Sequence, residues 1–224
     1  MSSFLGSGAL ALWLDVAPEL KAETDYWYLA EHIPDRIHVG GYLRARRYQA
    51  IIGSPEYLTL FEAKTPADLA SPGYLSLVKS ISDQSKRIRA GFSHVARNTF
   101  AVKSSVGAGI GVLMASFRLK RAADISENLS LAKLVEISEQ ALLMEGVVGC
   151  HVLGAAPEIR AKMDQFRVTG VQDSLVEYAL LVEVSHQRDL DAFYQKVHMQ
   201  EVLADAGWIV EQYAIYQLIY ELSQ

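Results

Sequence analysis

Cysteine is almost missing: one thiol, Cys150, stands in 224 residues. A lone thiol cannot close an intramolecular disulfide, so a reducing compartment is expected, the cytoplasm by default. Long apolar runs are missing too. No stretch approaches the roughly 18 apolar residues of a spanning helix, so no membrane segment is expected. The apolar residues near the start follow no Lys or Arg and pass into a β-like alternation, which reads as a first strand and not an export signal. An excess of one charge sign is also lacking. The 21 Lys and Arg against 26 Asp and Glu leave a net charge of −5 with dispersed cations, which excludes a nucleic-acid footprint. Six histidines without paired i, i+4 or Cys-x-x-Cys spacing give no local metal signal.

What is present suffices for a sizeable core, since half of the residues are hydrophobic. Residues 9–16 alternate Leu10, Leu12, Leu14 and Val16 against Ala9, Ala11, Trp13 and Asp15, which predicts a strand. Residues 19–38 switch to helical spacing with Tyr26, Ala30, Ile33 and Ile37 as the buried stripe. Strands over 42–52 and 57–63, a helix over 74–89 and a strand over 92–102 follow, punctuated by Gly and Pro. The order β-α-β-β-α-β then repeats. A strand is expected over 108–117, a helix over 125–144, a strand over 147–155, an irregular insertion over 156–172, a strand over 175–184, a helix over 190–206 and a strand over 208–221. Each half, 1–104 and 105–224, reads as a ferredoxin-like split βαβ unit of the α+β class.

Such a unit covers one sheet face with helices and leaves the other bare. The bare faces here carry Trp13, Phe61, Phe92, Phe100, Leu113, Leu153, Leu181, Trp208 and Tyr216, too apolar for solvent. The two antiparallel sheets are therefore expected to pack face to face as one barrel with an interior cavity. Residues 103–107 are too few for a flexible tether between separate domains.

The run Tyr26-Trp27-Tyr28-Leu29-Ala30-Glu31-His32-Ile33-Pro34-Asp35-Arg36, followed by Gly41-Tyr42 and an Arg-rich strand, resembles the first helix and second strand of the dimeric α+β barrel superfamily, especially its EthD-like and muconolactone-isomerase-like members. The resemblance implies a tandem fusion of two units that elsewhere dimerise. It implies a cavity-based small-molecule activity, often without a cofactor, and no single reaction. Phe193-Tyr194 and Gly207-Trp208 flank His198 at the spacing by which Trp27-Tyr28 and Gly41-Tyr42 flank His32, so His198 joins the candidate substrate contacts.

His32 shares a helical face with Tyr28 and Arg36. A neutral imidazole there could take a proton from an activated carbon while Tyr28 or an arginine stabilises the enolate; otherwise it is a histidine favoured by a helix C-terminus. On the second strand Arg44 and Arg46 share a face with Tyr42 and Tyr48, and Arg47 takes the other. That face suits an anionic or phenolic ligand if it lines the barrel, or protects an edge if the strand is exposed. Arg46, as a third catalytic candidate, and Tyr48 are placed in the cavity. Trp13, His94, Asn98, His151 and Glu177 are expected beside them as substrate contacts, with Asp15 as a further polar group on the same faces; each could equally be satisfied structurally. Cys150 and His151 are strand neighbours pointing oppositely, which argues against a nucleophilic pair. Gly107-Ala-Gly-Ile-Gly111 lacks the third glycine of a dinucleotide fingerprint and is read as close backbone approach.

The leading functional expectation is an enzyme without cofactor, of lyase, isomerase or cyclase type, acting on an aromatic or enolisable metabolite. One alternative is a haem enzyme similar to the chlorite-dismutase-like branch, with His198 or His151 as axial ligand. Another is a non-catalytic binding or stress-response protein. One asymmetric site is expected, with homodimerisation open.

Overall fold

The computed structural model describes residues 3–166, 173–189 and 199–224. Eight strands form a closed barrel: β1 (Gly8–Val16), β2 (Arg44–Gly53), β3 (Tyr57–Ala63), β4 (Phe92–Gly107), β5 (Leu113–Arg121), β6 (Val147–Ala155), β7 (Tyr178–Val184) and β8 (Trp208–Ser223). Their order around the barrel is β1-β3-β2-β8-β5-β7-β6-β4, every pairing antiparallel. Strands β4-β1-β3-β2 repeat as β8-β5-β7-β6, so two ferredoxin-like units share one closed sheet.

The two longest strands make the closure. The start of β4 pairs with β1, and its end, Phe100–Gly107, pairs with β6. In the same way β8 pairs first with β5, and its last part, Ala214–Ser223, pairs with β2. Residues 103–107 are thus strand. With β2 bonded on both sides there is no edge for its arginines to protect.

Alternation along each strand sends one set of side chains inward and the other under the helices. Trp13, Tyr48, Leu58, Leu60, Phe100, Met114, Leu153, Leu181 and Tyr216 fill the barrel. Five of the nine residues expected inside are therefore there; Phe61, Phe92, Leu113 and Trp208 pack under the helices instead. Two of these reversals come from bulges. Register slips between Trp13/Ala96 and Asp15/Ser93, beside His94 at φ 48°, so Phe92 and Phe100 face opposite ways. It slips again between Val210 and Gln212, which separates Trp208 from Tyr216. Tyr42 lies before β2 and stacks on Tyr74 on the helix side, away from Arg44, Arg46 and Tyr48. The expected interior cavity gives way to a core packed with side chains, as an eight-stranded barrel allows.

The first helical region is segmented: α1 (Lys21–Trp27), a π turn (Tyr28–His32) and α2 (Ile33–His38). Ile33 N–H reaches back five residues to the Tyr28 carbonyl, so the π turn inserts one extra position. The buried face shifts with it. Tyr26 and Ala30 are exposed, while Trp27, Tyr28, His32, Ile33, Arg36 and Ile37 are buried. The helix expected over 74–89 is two, α3 (Pro72–Lys79) and α4 (Asp83–Ala90), because Ser82 accepts from Ser85 N–H and restarts the helix. The second unit carries α5 (Glu127–Leu142), α6 (Pro157–Asp164) and α7 (Met199–Asp205). Helix α6 corrects the expectation of an irregular insertion: Pro157 sits at its first turn, where a missing N–H costs nothing. Strand β5 starts at Leu113, later than expected. Gly111 precedes it against the β7 backbone, where a Cβ would meet Val184 N at 2.6 Å.

Candidate functional site

A partly open pocket lies between the outer face of β1, β3 and β4 and the helices of the first unit. Leu10, Leu12, Phe61, Phe92 and Val95 form its sheet side, Tyr28, His32, Arg36, Tyr74, Val78 and Arg89 its helical side, and Met163 of α6 reaches in from the second unit. It leaves about 90 Å³ for the centres of water-sized atoms. The equivalent layer of the second unit is filled by Phe117, Leu119, Leu134, Leu180, Val182 and Trp208.

The π turn aims the polar groups. Residues Tyr28, His32 and Arg36, four apart, all line the pocket, and the Arg36 Nη1 donates to the His32 carbonyl at 3.2 Å. The His32 ring lies 4.2 Å from that of Trp27, 4.8 Å from Tyr28 and 6.1 Å from Phe61. Trp27 is held by donation to Ser85 Oγ at 3.0 Å, and Ser85 in turn donates to Glu31 at 2.8 Å. The Arg47 guanidinium stacks 3.7 Å from the Tyr28 ring centroid and bonds Asp25 at 2.9 Å. The aromatic walls are therefore fixed from behind.

Inside that frame two polar atoms are buried without a partner among the described residues, His32 Nδ1 and Tyr28 Oη. Whichever tautomer His32 adopts, its Nδ1 lacks a complement, an arrangement that costs stability unless a ligand completes it. Burial is the main cause that holds the His32 imidazole well below its usual pKa, and the cations of Arg36, Arg89 and Arg47 add to it. The ring is neutral at physiological pH. Arg97, also at the pocket, is held by Asp173 at 3.2 Å and by Asp164, and both acids also bind Arg160. This network fastens α6 over the pocket.

The sequence candidates divide between places. His32 and Tyr28 meet here. Arg46, Tyr48, Trp13, Asn98 and His151 are inside the barrel or on its inner face, behind the sheet. Arg46 Nη1 bonds Glu183 at 2.6 Å, and Arg44 bonds Glu62 at 2.8 and 2.9 Å. His151 Nε2 lies 2.9 Å from Glu183 and Nδ1 2.9 Å from Ser105 Oγ. Asn98 donates to the Val176 carbonyl at 2.6 Å, and the Trp13 indole donates to Ser116 at 3.2 Å. His94 is exposed and paired with Asp15 at 2.8 Å, and Glu177 is exposed. His198 lies outside the described residues. Cys150 points under the helices with its thiol pushed up to about 12 by burial, opposite to His151. Sequence reasoning missed Tyr74, Arg89, Arg97 and Met163, whose meeting depends on helix docking. Arg36, four residues after His32, was the legible signal.

No protein-family model and no curated protein sequence matches the chain. Solved structures do. An anthrone oxidase-like protein superposes with a TM-score of 0.64 at 12% identity, covering 100% of this chain and 95% of that one. A candidate monooxygenase from Fusobacterium nucleatum gives 0.59 at 8% identity, covering 99% and 96%. A chlorite dismutase from Candidatus Nitrospira defluvii gives 0.57 at 12% identity, covering 96% and 91%. The chain has the dimeric α+β barrel fold, with two ferredoxin-like units fused in tandem.

Haem, which the last likeness brings into view, does not fit His151 or His32. Both nitrogens of His151 are engaged inside a packed barrel, and His32 stands in a closely walled pocket among three guanidinium groups. Among the described residues no helix is long and apolar enough to cross a membrane, and no cluster of His, Cys, Asp and Glu could hold a metal ion.

Proposed function

We propose that the chain is a small-molecule enzyme working without a cofactor, which removes a proton from an enolisable or phenolic aromatic metabolite with His32 as the base. The observation that carries this reading is the neutral, buried His32 ring, with its Nδ1 unpartnered, on the wall of an aromatic-lined pocket. A neutral imidazole is the form that accepts a proton. Tyr28 Oη, equally unpartnered, is available to donate to the oxygen on which the enolate charge develops. A low-pKa imidazole is a weak base, so the C–H must be acidic. Carbon acids flanked by a carbonyl and an aromatic ring meet that requirement.

Proton removal is the step shared by isomerases, cyclases, lyases and oxidases that pass a substrate carbanion to dioxygen. The likeness to the anthrone oxidase-like protein and the candidate monooxygenase supports the last outcome. The test is exchange of the acidic hydrogen for deuterium in D₂O, followed by NMR over a panel of anthrones and aryl ketones, with and without oxygen. Wild-type protein is expected to exchange at least one of them, and His32→Gln to lose about 10²- to 10⁴-fold in rate. Undiminished exchange in the variant removes His32 from the mechanism.

A further inference from the structure

The pocket contains a buried arginine that no acidic group among the described residues neutralises. Arg36 is 7% exposed, and among the described residues its guanidinium makes one hydrogen bond, to the neutral carbonyl of His32. Other arginines buried nearby are matched: Arg44 with Glu62, Arg46 with Glu62 and Glu183, Arg47 with Asp25, and Arg97 and Arg160 with Asp164 and Asp173. Arg36 has no ion pair among the described residues. The pocket lining holds Arg36, Arg89 and Arg97 and not one Asp or Glu. A guanidinium on the wall of a buried pocket, without a counter-charge of its own, is poorly compensated, and an incoming anion completes it.

We propose that Arg36 is the anchor for a carboxylate on the substrate, so that the pocket selects aromatic acids over neutral aromatics. The planar fork of a guanidinium matches a carboxylate in two parallel hydrogen bonds. Leu10, Phe61, Val78 and Met163 supply the apolar remainder that accommodates the ring body. The assignment rests on the proton-abstraction reading only for its consequence: an anion seated on Arg36 offsets the positive charge beside His32 and makes the imidazole a stronger base when substrate is bound. Arg36 acts on the base through charge and orients substrate by contact.

Binding is measured by titration calorimetry with 2-naphthoate and its neutral counterpart 2-naphthamide, on the full chain and without turnover. Wild-type protein is expected to bind the acid at least ten times more tightly than the amide. Arg36→Gln is expected to bring the two within about twofold while leaving the amide's affinity unchanged, and His32→Gln to keep the preference. Equal binding of acid and amide by the wild type overturns the assignment whatever the variants do, and so does a preference that survives Arg36→Gln. Should the Gln variant fold poorly, Arg36→Met is read by the same two criteria. A preference for the acid without deuterium exchange leaves the anchor standing and removes the base. Exchange without a preference does the reverse.

Discussion

A histidine and arginines lie on each side of the sheet, those of the outer side including His32 and Arg36 from the helices, and Arg36 departs from the rule that the inner group follows. Inside the barrel Arg44 and Arg46 meet Glu62 and Glu183, two charges against two, and His151 completes the network with both nitrogens engaged. Because the Glu183 carboxylate can only accept, His151 Nε2 donates to it and Nδ1 accepts from Ser105. The residues before β1 close this end: Leu5 N–H donates to Glu62 at 2.9 Å, and Phe4 lies edge-on to His151 at 4.6 Å. Orphan atoms remain at Arg46 Nε and Nη2 and at Tyr48 Oη, yet the charge is balanced. On the outer side, among the described residues, Arg36 has no counter-charge and His32 no partner for Nδ1. Burial alone does not separate the two groups; charge balance does. A balanced network ties the units together, since Arg46 of the first meets Glu183 of the second, whereas an unbalanced cation offers a place for a ligand.

The largest effect that would sharpen this contrast lies inside. Glu183→Gln leaves Arg46 buried with half of its compensation, and chemical denaturation is expected to show a loss of about 3–5 kcal/mol, as for a buried pair deprived of one partner. Binding of 2-naphthoate to the folded fraction should not change. A variant as stable as the wild type would break the claim that this cluster is structural.

Acid reads the same network with a smaller effect. Arg46 and the bond from His151 hold the Glu183 carboxyl down at about 2, below its ordinary 4.5, against the opposing pull of burial. A lowered carboxyl pKa gives stability that is complete above about pH 4.5 and is lost as pH falls towards 2, on the order of 2 kcal/mol by about pH 3. His32 and His151 are lowered too, both chiefly by burial. The unfolded chain takes up those protons first, so stability already declines as pH drops below about 6.5. Urea midpoints from pH 7.5 to 3 should therefore fall in two stages, and Glu183→Gln should flatten only the more acidic one. Midpoints that rise on acidification would contradict both assignments.

Much of the architecture was legible because it rests on period and punctuation. Two-residue alternation in Leu10 to Val16 and the Gly-Ser-Pro turn at 53–55 lead directly to β1 and to the β2–β3 hairpin. What escaped were single-residue insertions that leave the composition unchanged. The bulge at His94 and the π turn at Tyr28–His32 each advance the chain by one position and exchange inside for outside. That is why Phe92 and Tyr26 were assigned to faces they do not occupy. Of the candidate site, the Tyr28, His32 and Arg36 series was visible at helical spacing. The parting of Arg46 from His32 was not, because their separation by the thickness of a sheet depends on which face of β2 looks inward. Carboxylate partners decide the rest: Glu183 lies 137 residues from Arg46, and no local pattern announces that meeting.

The smallest effect discriminates most sharply, because its sign matters more than its size. Removing a matched arginine from a folded protein strands its carboxylate partner; removing an unmatched one breaks no ion pair. Arg36→Gln is therefore expected to leave thermal stability unchanged or to raise it, by up to about 1 kcal/mol, while weakening the grip on an aromatic acid. The Gln amide keeps a donor for the His32 carbonyl, so the helix loses little. The stability curve should shift less with pH near neutrality as well, since one of the cations that hold His32 neutral is gone and its pKa moves back towards 6.5. A loss comparable to that of Glu183→Gln would mean that Arg36 is structural after all, and the two faces of the sheet would then obey one rule.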